Sequence, residues 1–141
     1  MMIEYDLIED VSPNFAKWDS LFLWVSKTIE LEGFVTGNLN FVFMSDDNLL
    51  SYNRKFLNHD YYTDVITFDN CDYPVINGDI LISIDRILDN SSSLKVNYFD
   101  EFCRVVIHGV LHLCGYKDKT DTDELLMRQM EEKYLNLRSF T

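Results

Sequence analysis

The segment Tyr98–Gly115, "YFDEFCRVVIHGVLHLCG", constrains the fold more than any other stretch of the chain. Phe102, Val105, Val106, Val110 and Leu113 recur at helical spacing and can form one buried face. Asn97 is the expected N-cap, the helix should run from about Tyr98 to Cys114, and Gly115 is its C′ residue. A helix with so apolar a face has to be covered by another layer of structure. It also carries two of the chain's three histidines, His108 and His112, one turn apart and therefore pointing the same way.

The rest of the chain supplies that layer. "MIEYDLIE" alternates Ile3, Tyr5 and Leu7 against Glu4 and Asp6, the pattern of a half-buried strand. Leu39–Met44, Asp64–Phe68 and Gly78–Ile84 are short apolar or β-branched runs and predict three more strands. The turn-rich "DNCDYPVIN" between the last two reads as a hairpin-like connection. Ser12 and Pro13 predict a helix start, followed by Phe15, Trp18, Phe22, Val25 and Ile29 at helical spacing, with Gly33 as the stop. Ser45 and Asp46 cap a short helix over "SDDNLLSYNRKFLN". "IDRILD" opens another, which "NSSS" is expected to interrupt at Asn90. A terminal helix over "TDTDELLMRQMEEKYLNL" places Leu126, Met127, Met130, Tyr134 and Leu137 on one side. The order predicts one α+β domain over residues 1–141, with a mixed four-stranded sheet covered by helices.

Composition narrows the function classes. With 141 residues, 47% hydrophobic and 14% aromatic, the chain can bury a core of its own. No stretch approaches the ~20 apolar residues of a membrane helix, and the acidic start "MMIEYDLIED" lacks the features of a signal peptide. Cys71, Cys103 and Cys114 are an odd number without framework spacing, which fits a reducing cytoplasm. The formal charge of −12 argues against broad, nonspecific nucleic-acid binding, because the phosphate backbone would be repelled. A local basic cleft stays open, with Arg54, Lys55, Arg104, Lys117 and Lys119 as its candidate residues.

"HGVLHLCGYKD", His108–Asp118, carries the chemistry. Two His at i and i+4 make a bidentate clamp for zinc. Gly115 lets the chain reverse and bring Asp118 over the two rings as an oxygen ligand. Three protein ligands leave the fourth tetrahedral position open, the pattern of a catalytic site. Gly109 stands where a zinc peptidase would carry its glutamate base, so peptidase activity is the weakest reading. A zinc ion lowers the pKa of bound water to about 7 and polarises phosphoryl oxygens, so phosphodiester chemistry needs less of a protein base. His59, in "LNHDYYTD", reads as a loop histidine. Cys114 should point away from the clamp, and Cys71 lies in a loop with no spacing that argues for a metal.

"HGVLHLCGYKD" resembles the signature of the YbeY family of metal-dependent endoribonucleases, which mature ribosomal RNA. "LNHDYYTDVITF" (Leu57–Phe68) and "GDILIS" (Gly78–Ser83) resemble two further blocks of that family, in the same order. The resemblance implies a zincin-like metal-binding helix and one Zn2+ per chain. It also implies cleavage of single-stranded RNA in ribosome biogenesis, with ribosomal proteins or ribosome-assembly GTPases as possible partners. Two positions depart from the pattern. The family's third His is Asp118 here, which makes the site one negative charge richer. The family's arginine falls at Leu57. Arg54, one helical turn earlier, would deliver the guanidinium to the same place, with Lys55 as second choice; the alternative is that Arg54 is a solvated surface charge. The departures also keep open a non-catalytic ribosome-assembly factor stabilised by its metal.

Overall fold

The computed structural model describes residues 2–140. The elements run β1 (Met2–Leu7), α1 (Trp18–Leu31), β2 (Val35–Met44), α2 (Asp46–Leu57), β3 (Val65–Asp69), β4 (Val75–Ser83), α3 (Ile84–Leu94), α4 (Tyr98–Leu113) and α5 (Asp121–Asn136). The four strands form one mixed sheet in the order β1-β2-β4-β3. β1 and β4 run parallel to β2, and β3 pairs antiparallel with β4 along the edge. The expected α+β architecture is what the chain adopts.

Side-chain alternation along the strands sorts the helices onto two faces. Leu39, Phe41 and Phe43 of β2 and Ile76, Ile80 and Ile82 of β4 point to one side. There they form a core with Leu21, Val25 and Ile29 of α1 and with Phe102, Val106 and Val110 of α4. Met44, Leu81 and Ile66 point to the other side and pack with Leu49 of α2. Each such side chain, fully removed from water, contributes about 1.5–3 kcal/mol. α4 thus lies on the sheet beside β4 and the edge strand β3, while α3 and α5 flank it.

Four expectations need correction. The first helix begins at Trp18, not at Ser12–Pro13, because Asn14 adopts a left-handed backbone (φ 50) that a helix cannot contain. Phe15 is partly buried all the same, stacked 4.7 Å from Phe102, so its apolar spacing reported tertiary packing rather than helix. α3 is not interrupted at Asn90 but continues to Leu94. Ser91 Oγ donates to the Leu88 carbonyl at 2.8 Å, and left-handed Lys95 ends the helix. β1 is more exposed than its alternation predicted, as an edge strand whose Tyr5 lies flat on Trp18 with ring centres 3.7 Å apart. On α5 only Met127 and Tyr134 of the expected stripe are fully buried, Met130 is partly buried, and Leu126 and Leu137 are exposed.

Candidate metal centre

α4 and the turn after it bring His108, His112 and Asp118 together. Asn97 caps the helix through its side chain, which accepts from Phe99 N, and Gly115 (φ 106) reverses the chain at the other end. Nε2 of His112 lies 3.1 Å from Nε2 of His108 and 3.2 Å from Oδ2 of Asp118; the His108–Asp118 separation is 3.3 Å. A tetrahedral ion bound at about 2.0–2.2 Å holds its donors roughly 3.3–3.5 Å apart, so the three atoms sit nearly at the spacing an ion requires. Two imidazoles and a carboxylate suit zinc and other first-row divalent ions.

The far nitrogens are occupied. His108 Nδ1 lies 2.6 Å from Glu131 Oε2 on α5. His112 Nδ1 lies 3.0 Å from the carbonyl oxygen of Tyr116, which can only accept, so that nitrogen carries the proton. Both rings therefore direct Nε2 at the common point, as metal-binding histidines do. Tyr116 is fixed in turn, since its hydroxyl donates to Glu32 at 2.6 Å and Tyr134 donates to the same carboxylate. Burial and the Glu32 carboxylate push the Tyr116 phenol up to about 12.

Behind His108 stands a charged network that the sequence did not disclose. Arg104 bonds to Glu101 at 2.6 Å and reaches Glu131 and Asp64 at 3.3 Å each. Burial works against its charge, but the carboxylates of Glu101, Glu131 and Asp64 outweigh that and raise its pKa. Burial likewise opposes ionisation of Glu131, yet His108 and Arg104 hold its carboxyl below the usual range. Arg104 is therefore engaged within the protein and drops out of the expected basic cleft.

Gly109 faces the sheet. A Cβ there would lie 2.7 Å from Ile80 Cγ2 and 3.4 Å from Val65 Cγ2, so α4 approaches β4 at a distance only glycine permits. A glutamate at this position would enter the core, which removes the zinc-peptidase arrangement on steric grounds.

The three donors open into a cavity of about 250 Å3. Thr63–Thr67 along the edge strand form one wall, and Asn53, Leu57, His59 and Tyr61 form the other. His59, expected only as a loop residue, thus shares a cavity with the donors. Asn53 braces this loop: it is buried, its side chain donates to the Tyr61 carbonyl at 2.9 Å, and its own carbonyl accepts from His59 N. Leu57 lines the cavity, whereas Arg54 is not among its lining residues and pairs instead with Asp60. Lys55, Lys117 and Lys119 are exposed. A smaller cavity of about 200 Å3 on the other side of His108 and Asp118 is bordered by Arg128. Cys71 Sγ faces the carbonyls of Asn77 and Leu113, and Cys103 and Cys114 are buried, so none of the three joins the donor group.

Comparison with known proteins points to one family. A family model described as Endoribonuclease YbeY matches residues 9–138. A protein named endoribonuclease YbeY from Flavobacterium psychrophilum is 51% identical over 114 residues, covering 81% of both chains. One of the same name from Cytophaga hutchinsonii is 44% identical over 133 residues, covering 94% of this chain and 93% of its own. Another, from Porphyromonas gingivalis W83, is 47% identical over 112 residues, 79% of this chain and 74% of that one. The solution structure of a Thermotoga maritima protein superposes with a TM-score of 0.67 at 26% identity, covering 96% of this chain and 87% of that one.

Proposed function

The chain belongs to the endoribonuclease YbeY family, and from that premise we propose that it is a zinc-dependent endoribonuclease that cleaves single-stranded RNA. Its substrate in this reading is ribosomal RNA, matured in the cytoplasm during ribosome biogenesis, with ribosomal proteins or assembly GTPases as partners. Among the described residues no helix is long and apolar enough to cross a membrane. The observation that carries the reading is the convergence of His108 Nε2, His112 Nε2 and Asp118 Oδ2 at ion-binding spacing beside an open edge strand.

Zinc would be held by those three atoms and supplies Lewis acidity at a phosphoryl oxygen and a lowered pKa for water. The protein's own part is positional. Glu131 and the Tyr116 carbonyl hold the two rings so that Nε2 of each faces the common point. The short side chains of Thr63, just before β3, and Thr67 on it leave room for a strand of RNA along the sheet edge. Arg54 would contact a phosphate at the rim once RNA displaces Asp60, an exchange that an exposed ion pair worth about 0–1 kcal/mol allows. Metal analysis combined with cleavage of a labelled single-stranded oligoribonucleotide tests this function. One zinc per chain and metal-dependent cleavage are expected, and a zinc-loaded protein without nuclease activity would overturn it.

A further inference from the structure

Breaking a phosphodiester leaves a 5′-oxygen that needs a proton, and the residues assigned so far do not provide one. His108, His112 and Asp118 are committed to the ion. Asp64, also on the cavity wall, accepts from Arg104 Nη2 at 3.3 Å and from Asn90 at 3.5 Å. Glu131 is held by His108 and Arg104. Tyr61 lines the cavity, but its hydroxyl is engaged 3.0 Å from His59 Nδ1. That leaves His59, the chain's third histidine, whose imidazole is the side chain suited to proton transfer between pH 5 and 8.

We propose that His59 is the general acid that protonates the 5′-oxygen leaving group, a proposal that rests on the endoribonuclease reading above. Its placement is defined by several contacts. The turn begins at Asn58, whose left-handed backbone ends α2, and His59 N donates to the Asn53 carbonyl at 3.1 Å. The ring lies against Tyr61, centres 5.2 Å apart and planes at 21°, with Nδ1 3.0 Å from the Tyr61 hydroxyl. In the imidazolium, Nδ1–H donates to that oxygen and Nε2–H, which has no partner among the described residues, is free for the substrate. The charged groups around it are Asp60, neutralised by Arg54, with Lys55 one turn back on α2, and Asp64, His108, His112 and Asp118 across the cavity.

The step balances without another reactant. Water or the ribose 2′-OH forms a new P–O bond and releases its proton to bulk solvent. The P–O5′ bond breaks, its electron pair stays on O5′, and that oxygen takes the proton from His59 Nε2. The neutral ring is reprotonated by solvent.

The test compares His59→Ala and His59→Gln with the parent on two substrates: a single-stranded oligoribonucleotide, and a uridine phosphodiester with 4-nitrophenol as leaving group. Nitrophenolate departs without a proton, so only the RNA reaction requires the acid. Both variants should lose roughly 10²–10⁴-fold in kcat on RNA and less than about tenfold on the nitrophenyl ester. Their bound metal should match the parent's, and the alkaline fall of the parent's pH–rate profile should disappear. Equal losses on both substrates, or parent-like RNA cleavage by either variant, would overturn the role of His59. A parent that cleaves neither substrate would instead overturn the endoribonuclease reading, and the proposal with it.

Discussion

Nδ1 of His108 lies 2.6 Å from Oε2 of Glu131, a contact between two helices that ties the donor site to the last element of the chain. Glu131 is almost completely buried and shares Arg104 with Glu101. Removing a carboxylate that orients a metal-binding histidine typically costs 10–100-fold in metal affinity. Competition with a chromogenic zinc chelator should therefore show Glu131→Gln weaker than the parent by about that factor. Unchanged affinity would mean that α5 plays no part in holding the ring.

Gly109→Ala should destabilise the fold by about 1–3 kcal/mol, the usual cost of overpacking a core. The added methyl would stand 2.7 Å from Ile80 Cγ2. Trimming that neighbour in the double variant Gly109→Ala/Ile80→Ala should recover part of the loss, seen as a favourable coupling energy in urea unfolding. Additive losses would place the clash elsewhere. Gly109→Glu, the peptidase-like residue, should not fold.

Asp118→His should keep the metal, since imidazole and carboxylate both bind zinc at about 2.0–2.2 Å and the Asp118 side chain is 42% exposed rather than packed in the core. Asp118→Asn should bind more weakly, through its amide oxygen, but by less than His112→Ala. Loss of metal from Asp118→His would show that the turn after Gly115 does not tolerate the larger ligand.

The electrostatic footprint on RNA should be small. Arg104 is consumed by Glu101, Glu131 and Asp64, which leaves Arg54 and exposed lysines such as Lys55, Lys117 and Lys119 on a chain of net charge −12. Each phosphate neutralised contributes about −0.7 to the slope of log K against log salt for single strands, so a total of roughly −2 to −3 is expected by fluorescence anisotropy. Arg54→Ala should remove about one such unit and lower the cleavage rate more than the affinity. Asp60→Asn should tighten binding by releasing Arg54. If Arg54→Ala matches the parent in both slope and rate, Arg54 is a surface charge only.

What could be read beforehand followed the range of the interactions. His108 and His112 converge because helix geometry fixes i and i+4, and Asp118 follows because a glycine reverses the chain three residues earlier; both rules are local. The sheet's strands were legible for the same reason. Glu131, Arg104 and His59 were not, because their roles depend on α5 crossing α4 and on the α2–β3 loop facing the edge strand, contacts set by packing across the whole chain. Gly109 stood out as the missing peptidase glutamate, whereas its requirement comes from Ile80 on another element. The false helix start at Ser12–Pro13 has a related origin: Phe15 is placed by tertiary burial against Phe102, and periodicity cannot distinguish that from helix.

The most direct measurement is the time course of cleavage of an end-labelled single-stranded oligoribonucleotide by chelator-stripped protein, before and after one equivalent of zinc, with His112→Ala treated identically. The parent is expected to be inactive when stripped and to recover on zinc addition, while His112→Ala stays inactive in both states. Cleavage by His112→Ala at the parent's rate would contradict a reaction centred on His108, His112 and Asp118. A zinc-replete parent that leaves the RNA intact would favour a metal-stabilised assembly factor instead.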